Sequence, residues 1–204
     1  MITRINKKII IATISCFIFF IILRDVFTYE ITNYDIWFHD VLINNYKSDL
    51  TTSIMIFITT FGSGIVLFLI SCYLFIKNRK VGFYSLINLI IIFILNTIVK
   101  FAIQRPRPSG YNIIVESGYS FPSGHSMVST AFYGFIIYLI YKNLKSNKLK
   151  FIYISVLFLL IIFICISRIY LGVHYASDVL GGFFFSIMYL MIFIMCISKS
   201  AYKL

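Results

Sequence analysis

Acidic side chains are scarce in this sequence, with 7 Asp and Glu against 18 Lys and Arg in 204 residues. Charge of either sign is thin at 12%, while 60% of residues are hydrophobic, a balance that excludes an ordinary soluble domain. The four cysteines, Cys16, Cys72, Cys165 and Cys196, all fall in apolar runs without paired spacing, so neither a disulfide framework nor a thiolate metal site is expected. No group of carboxylates has metal-ligand spacing; no metal and no other cofactor is expected. No internal repeat or low-complexity linker divides the chain, and one domain over residues 1–204 is expected.

What is abundant is apolar runs of membrane-spanning length. Six can be drawn: Ile9–Leu23, Ile54–Ile76, Val81–Val99, Gly124–Tyr141, Phe151–Ser167 and Ala176–Ile197. The expected fold is all-α, an integral membrane bundle of six transmembrane helices. Between the first two runs, Asn33–Asn45 mixes Ile36, Trp37 and Phe38 with Asp35, His39 and Asp40, which fits a short helix lying in the outer interface. Arg4, Lys7 and Lys8 ahead of the first run resemble a secretory signal, but the run ends in Leu23-Arg24 without a small-residue cleavage site. It reads as an uncleaved anchor.

Charge distribution orients the bundle. With the N-terminus cytoplasmic, the inner side receives Arg4, Lys7 and Lys8, the Lys77–Lys80 and Lys142–Lys150 loops, and Lys199 and Lys203. All seven acidic residues and all three histidines fall outside, the positive-inside pattern. The basic surplus is thus a topology signal, and nucleic acid is not an expected partner. The charge pattern puts both termini in the cytoplasm, and the short chain favours a bacterial plasma membrane as the expected location; the oligomeric state is not legible.

Arg24, Lys47, Lys100, Arg105, Arg107 and Arg168 break the pattern. Arg24 and Lys47 read as solvated or snorkelling residues, whereas the other four form a cationic group on the outer side, which an anionic ligand would explain. Pro106 and Pro108 stiffen the loop carrying Arg105 and Arg107. Pro122-Ser123-Gly124-His125 opens the fourth run as a helix start with Ser123 near its N-cap. Free backbone N–H groups make such a start an anion site, which Gly124 would let a phosphate approach closely. His174 and Asp178 stand four apart, so one helical turn would align the carboxylate with one imidazole nitrogen and leave the other as a base or nucleophile. Taken singly, these residues have plainer readings: Lys100 and Arg168 as interfacial anchors, His125 as a polar helix start, Asp178 as a helix-dipole partner. Arg105 reads at most as an accessory phosphate or headgroup contact, Glu116 and Tyr119 as a solvated loop in preference to the substrate mouth, and Gly62-Ser63-Gly64 as close packing or a kink.

Lys100 with Arg107-Pro108, then Pro122-Ser123-Gly124-His125, then Ser167-Arg168 with His174 and Asp178 together resemble the three-part signature of the type-2 phosphatidic acid phosphatase superfamily. The resemblance implies that His174 attacks phosphorus and carries a phosphohistidine, that Asp178 orients it, and that His125 protonates the leaving oxygen. It implies that Lys100, Arg107, Arg168, Ser123 and the Gly124 N–H hold the other phosphoryl oxygens. The expected activity is metal-independent hydrolysis of a membrane lipid phosphate at the extracytoplasmic face. Undecaprenyl diphosphate, phosphatidylglycerophosphate and phosphatidic acid are the candidate substrates. Alternatives are a lipid phosphotransferase at the same site, a non-catalytic phospholipid binder or transporter, and a serine hydrolase using Ser123 or Ser126.

Overall fold

The computed structural model describes residues 2–110 and 112–200, and among them every regular element is helical. Lys203, counted above with the inner cations, lies outside the described residues, as do the side chains of Arg4 and Lys199. Eight helices follow in order: α1 Ile2–Tyr29, α2 Asn33–Tyr46, α3 Asp49–Thr60, α4 Gly64–Lys77, α5 Arg79–Ile103, α6 Gly124–Asn143, α7 Asn147–Tyr170 and α8 Ala176–Ser200. Their starts are written locally. Ser48, Ser63 and Ser146 each accept from the backbone N–H three residues on, and Thr32 and Asp35 form a reciprocal capping box on α2.

Four helices (α1, α5, α7 and α8) are individually long and apolar enough to cross a bilayer, and α3 with α4 would add a fifth if the bent pair is one span. The run expected as a span over Ile54–Ile76, with close packing or a kink at Gly62-Ser63-Gly64, bends by 48° at Phe61-Gly62-Ser63. Ser63 starts a new helix there, so the chain turns instead of continuing. Ile65 and Ile76, 75% and 81% exposed, are among many large apolar side chains on the outer surface, as lipid-facing helices require.

α6 is the centre. It packs against α5, α7 and α8, while α1 lies on α8, α4 on α5 and α3 on α7. Its 20 residues include Ser126, Ser129 and Thr130, all buried, and this polarity keeps it off the set of apolar spans. Ser126 Oγ donates to Val179 O at 2.8 Å, Ser186 Oγ to Met127 O at 3.0 Å and Asn88 Nδ2 to Ala131 O at 2.9 Å. Small and amide side chains thus stitch the central helix to its neighbours, the usual glue where lipid gives no hydrophobic drive between helices. A Cβ on Gly182 would stand 3.0 Å from Ser123 O, so α8 approaches the start of α6 backbone to backbone.

Candidate active site

The C-terminal ends of α5 and α7, the N-terminal ends of α6 and α8, and the loop segments 104–110 and 112–123 meet at one end of the bundle. His174 lies in the short turn before α8 and Asp178 in that helix's first turn. The pair meets as loop against helix start, with His174 Nδ1 3.5 Å from Asp178 Oδ2. Ser120 Oγ, 3.3 Å from the same nitrogen, donates to Asp178 Oδ2, as does Tyr175 N–H at 2.8 Å. With its Nδ1 edge on the carboxylate side, the neutral imidazole carries its proton there. Nε2 keeps the lone pair, facing Arg107 Nη1 at 3.2 Å. Burial pushes the imidazole down to about 4, against the pull of Asp178.

Arg107 is clamped by the loop that bears it. Its Nε donates to Gly118 O and its Nη2 to Ser117 O, both at 3.0 Å, and its Nη1 to Val173 O at 2.9 Å. Arg168, 1% exposed, donates from Nη1 to Thr59 Oγ1 at 2.7 Å and pairs through Nη2 with Glu116. Glu116 Oε2 is also 3.2 Å from Arg107 Nη1 and 4.0 Å from His174 Nε2. A carboxylate thus bridges two guanidinium groups in front of the imidazole. Burial opposes its charge, but Arg168, seconded by His174, holds the Glu116 carboxyl down to about 2.

Lys100 Nζ donates to Tyr119 O at 2.6 Å, within electrostatic reach of Arg107, Glu116 and Arg168. His125, in the first turn of α6, lies within electrostatic range of Arg168, Glu116 and His174, and a Cβ on Gly62 would stand 3.2 Å from its ring. The break between α3 and α4 therefore leaves the room His125 occupies. Ser123 holds the N-cap position without making the cap bond; its Oγ is fully buried with no protein partner, as is Arg168 Nε. Buried donors are rarely left unpaired, so two at one end of a bundle fit a site for an oxyanion. Gly124 turns toward Asn96, whose Oδ1 a Cβ would meet at 3.3 Å and whose Nδ2 donates to Pro122 O at 3.1 Å.

Two expectations need correction. Glu116 is not a solvated loop residue, because Arg107 and Arg168 draw it inward. Arg105 makes no headgroup contact: it is 3% exposed and bonds Asp178 Oδ1 at 2.6 Å, Ser177 Oγ at 2.7 Å and Asp35 Oδ2 at 3.1 Å, with its guanidinium over the Tyr175 ring. Asp35, on α2, also accepts from Ser177 N at 2.7 Å. Neither Asp35 nor Thr59 carried a sequence signal, since each acquires its partner from 70 or more residues away. Among the described residues, no group of three or more His, Cys, Asp or Glu side chains is placed to hold a metal ion.

A family model described as the PAP2 superfamily matches residues 80–202. Phosphatidylglycerophosphatase B from Bacillus subtilis is 44% identical over 94 residues, 44% of this chain and 45% of that protein. Dolichyldiphosphatase from Saccharomyces cerevisiae is 36% identical over 102 residues, 44% of this chain and 41% of that one. The chain thus spans under half the length of both. Undecaprenyl-diphosphatase from Sulfolobus acidocaldarius is 28% identical over 149 residues, covering 69% of this chain and 68% of that protein. The crystal structure of a transmembrane PAP2-type phosphatidylglycerolphosphate phosphatase from Bacillus subtilis superposes with a TM-score of 0.82 at 27% identity, over 92% of this chain and 96% of that one.

Proposed function

Because this chain belongs to the PAP2 superfamily, we propose that it is a multi-pass membrane phosphatase that removes a terminal phosphate from an amphiphilic lipid at the extracytoplasmic face. The observation that carries the reading is the Glu116 carboxylate seated between Arg107 and Arg168, 4.0 Å from the Nε2 of His174. The pocket takes an oxyanion with a nucleophilic nitrogen alongside.

In the first step His174 Nε2 forms a bond to phosphorus as the bond to the leaving oxygen breaks, and His125 gives that oxygen a proton. In the second, His125 takes a proton from water, the water oxygen bonds to phosphorus, and the N–P bond breaks to release inorganic phosphate. Asp178 stabilises the positive imidazole ring. Lys100, Arg107, Arg168, Ser123 and the Gly124 N–H hold the non-transferring oxygens. Phosphoryl transfer asks mainly for alignment and charge stabilisation, which these groups supply. No metal enters the scheme, so turnover is expected to survive excess EDTA.

The relatives' names point to diphosphates and phosphomonoesters on long lipids, so undecaprenyl diphosphate, phosphatidylglycerophosphate and phosphatidic acid remain the substrates to try. Phosphate release from a panel of these three by the purified protein in detergent tests the proposal. Release from at least one, abolished by His174→Ala, is expected; no release from any would overturn it.

A further inference from the structure

A cationic pocket at headgroup level faces a competition problem. Phosphodiester headgroups, with one negative charge each, surround such a site in large excess over any substrate, and clustered basic side chains attract them. Glu116 answers that problem. Its carboxylate bridges Arg168 Nη2 and Arg107 Nη1, in front of the nitrogen that would meet phosphorus.

We propose that Glu116 is a specificity-determining residue, a displaceable occupant of the oxyanion pocket that a phosphodiester fails to evict and a terminal phosphate evicts. The proposal rests on the reading of this pocket as the phosphate site. A diester brings one charge and two free oxygens, no more than the carboxylate already there. A terminal phosphate brings three free oxygens and about −1.5 to −2 charge near neutral pH, and it gains correspondingly more from the same two guanidinium groups. Departure of Glu116 leaves the pocket standing. Arg107 keeps its bonds to Ser117 O, Gly118 O and Val173 O, and Arg168 keeps Thr59 Oγ1. The Glu116 side chain is 27% exposed, so it has a way out to solvent.

Glu116→Gln and Glu116→Asp are compared with the wild type in detergent micelles. Phosphate release from the best lipid substrate is measured against added dihexadecyl phosphate, a membrane diester, and dimethyl phosphate, a soluble one. Glu116→Gln should be inhibited at about tenfold lower concentrations of diester than the wild type, and its KM for the substrate should fall. Glu116→Asp, which keeps the charge, should stay near wild type. Sensitivity to both diesters locates the discrimination in the pocket chemistry; sensitivity to dihexadecyl phosphate alone locates it in competition from the bilayer, and either supports the proposal. Equal sensitivity of Glu116→Gln and wild type to both would overturn it, including where Glu116→Gln is merely slower. A wild type that releases no phosphate from any lipid would instead sink the functional reading, before any variant is compared.

Discussion

The side chain on which the chemistry turns is His174, and its environment makes a pH prediction. Burial lowers its pKa to about 4, so the imidazole is neutral, and its Nε2 lone pair available, across the physiological range. The acid limb of kcat/KM, which reports the free enzyme, should therefore fall well below the 6.5 of an ordinary histidine. A limb at or above 6.5 would show that the ring is not held as described. The same shift bears on stability. An unfolded chain binds this proton more readily than the folded one, so the folded state loses ground as pH drops from 6.5 toward 4. Glu116, held down to about 2, acts in the same direction at lower pH: its contribution is present above the ordinary 4.5 and is lost as pH falls toward 2. His174→Ala should lower turnover by on the order of 10³-fold or more while the protein still inserts and purifies. Brief quenching of the wild type with labelled substrate should trap acid-labile, histidine-linked phosphate, and its absence would remove His174 from the role of nucleophile.

At the scale of elements, the site depends on two pieces of backbone outside the segment matched by the family model. One is the break between α3 and α4. A methyl group on Gly62 would come within 2.7 Å of Ile164 Cγ2 and 3.2 Å of the His125 ring. Gly62→Ala should therefore shift His125, and displacements of this kind cost up to about 10²-fold in rate. If His125 is the acid, the loss should be large for alkyl leaving groups and small for an activated aryl phosphate; an equal loss on both would contradict that role. The other is α2, whose Asp35 ties Arg105 and Ser177 together behind Asp178. Removing one partner from a buried charge network costs about 3–5 kcal/mol, so Asp35→Asn should lower thermal stability. It should also lower kcat with little change in KM if α2 positions the Asp178–His174 pair, whereas unchanged kcat would reduce α2 to packing. These dependencies explain what was legible in the sequence. Helical class and apolar spans were, because hydropathy and caps are local. The motif residues were, because their spacing lies within short stretches. Asp35, Thr59 and the inward turn of Glu116 were not, since each is created by contacts across the fold, and the polar face of α6 hid its central position.

For the whole molecule, the remaining question is which side of the membrane the site faces, and the helix directions bear on it. α5 and α7 end at the site while α6 and α8 begin there, so the Lys77–Lys80 and Lys142–Lys150 loops lie at the opposite end. Lys8, whose ammonium lies 5.2 Å from the Tyr138 ring centroid near the close of α6, shares that far end, whereas Glu30 O, just after α1, accepts from Arg105 at the site. The lysine-rich loops thus gather at one pole, while Asp35, Glu116 and Asp178 lie at the other with the four cations Lys100, Arg105, Arg107 and Arg168 of the site. A bilayer that retains cationic loops on its cytoplasmic side would orient the site outward. Six crossings follow if α3–α4 counts as one and α6, shielded by its neighbours, as another. A cysteine placed at Lys145 and one placed at Val115, which is 95% exposed, provide the test in a background with the four native cysteines replaced. In intact cells a membrane-impermeant maleimide should label the Val115 position and spare Lys145 until the membrane is opened. The reverse pattern would put the pocket in the cytosol, and the substrate would then have to present its phosphate to the inner leaflet.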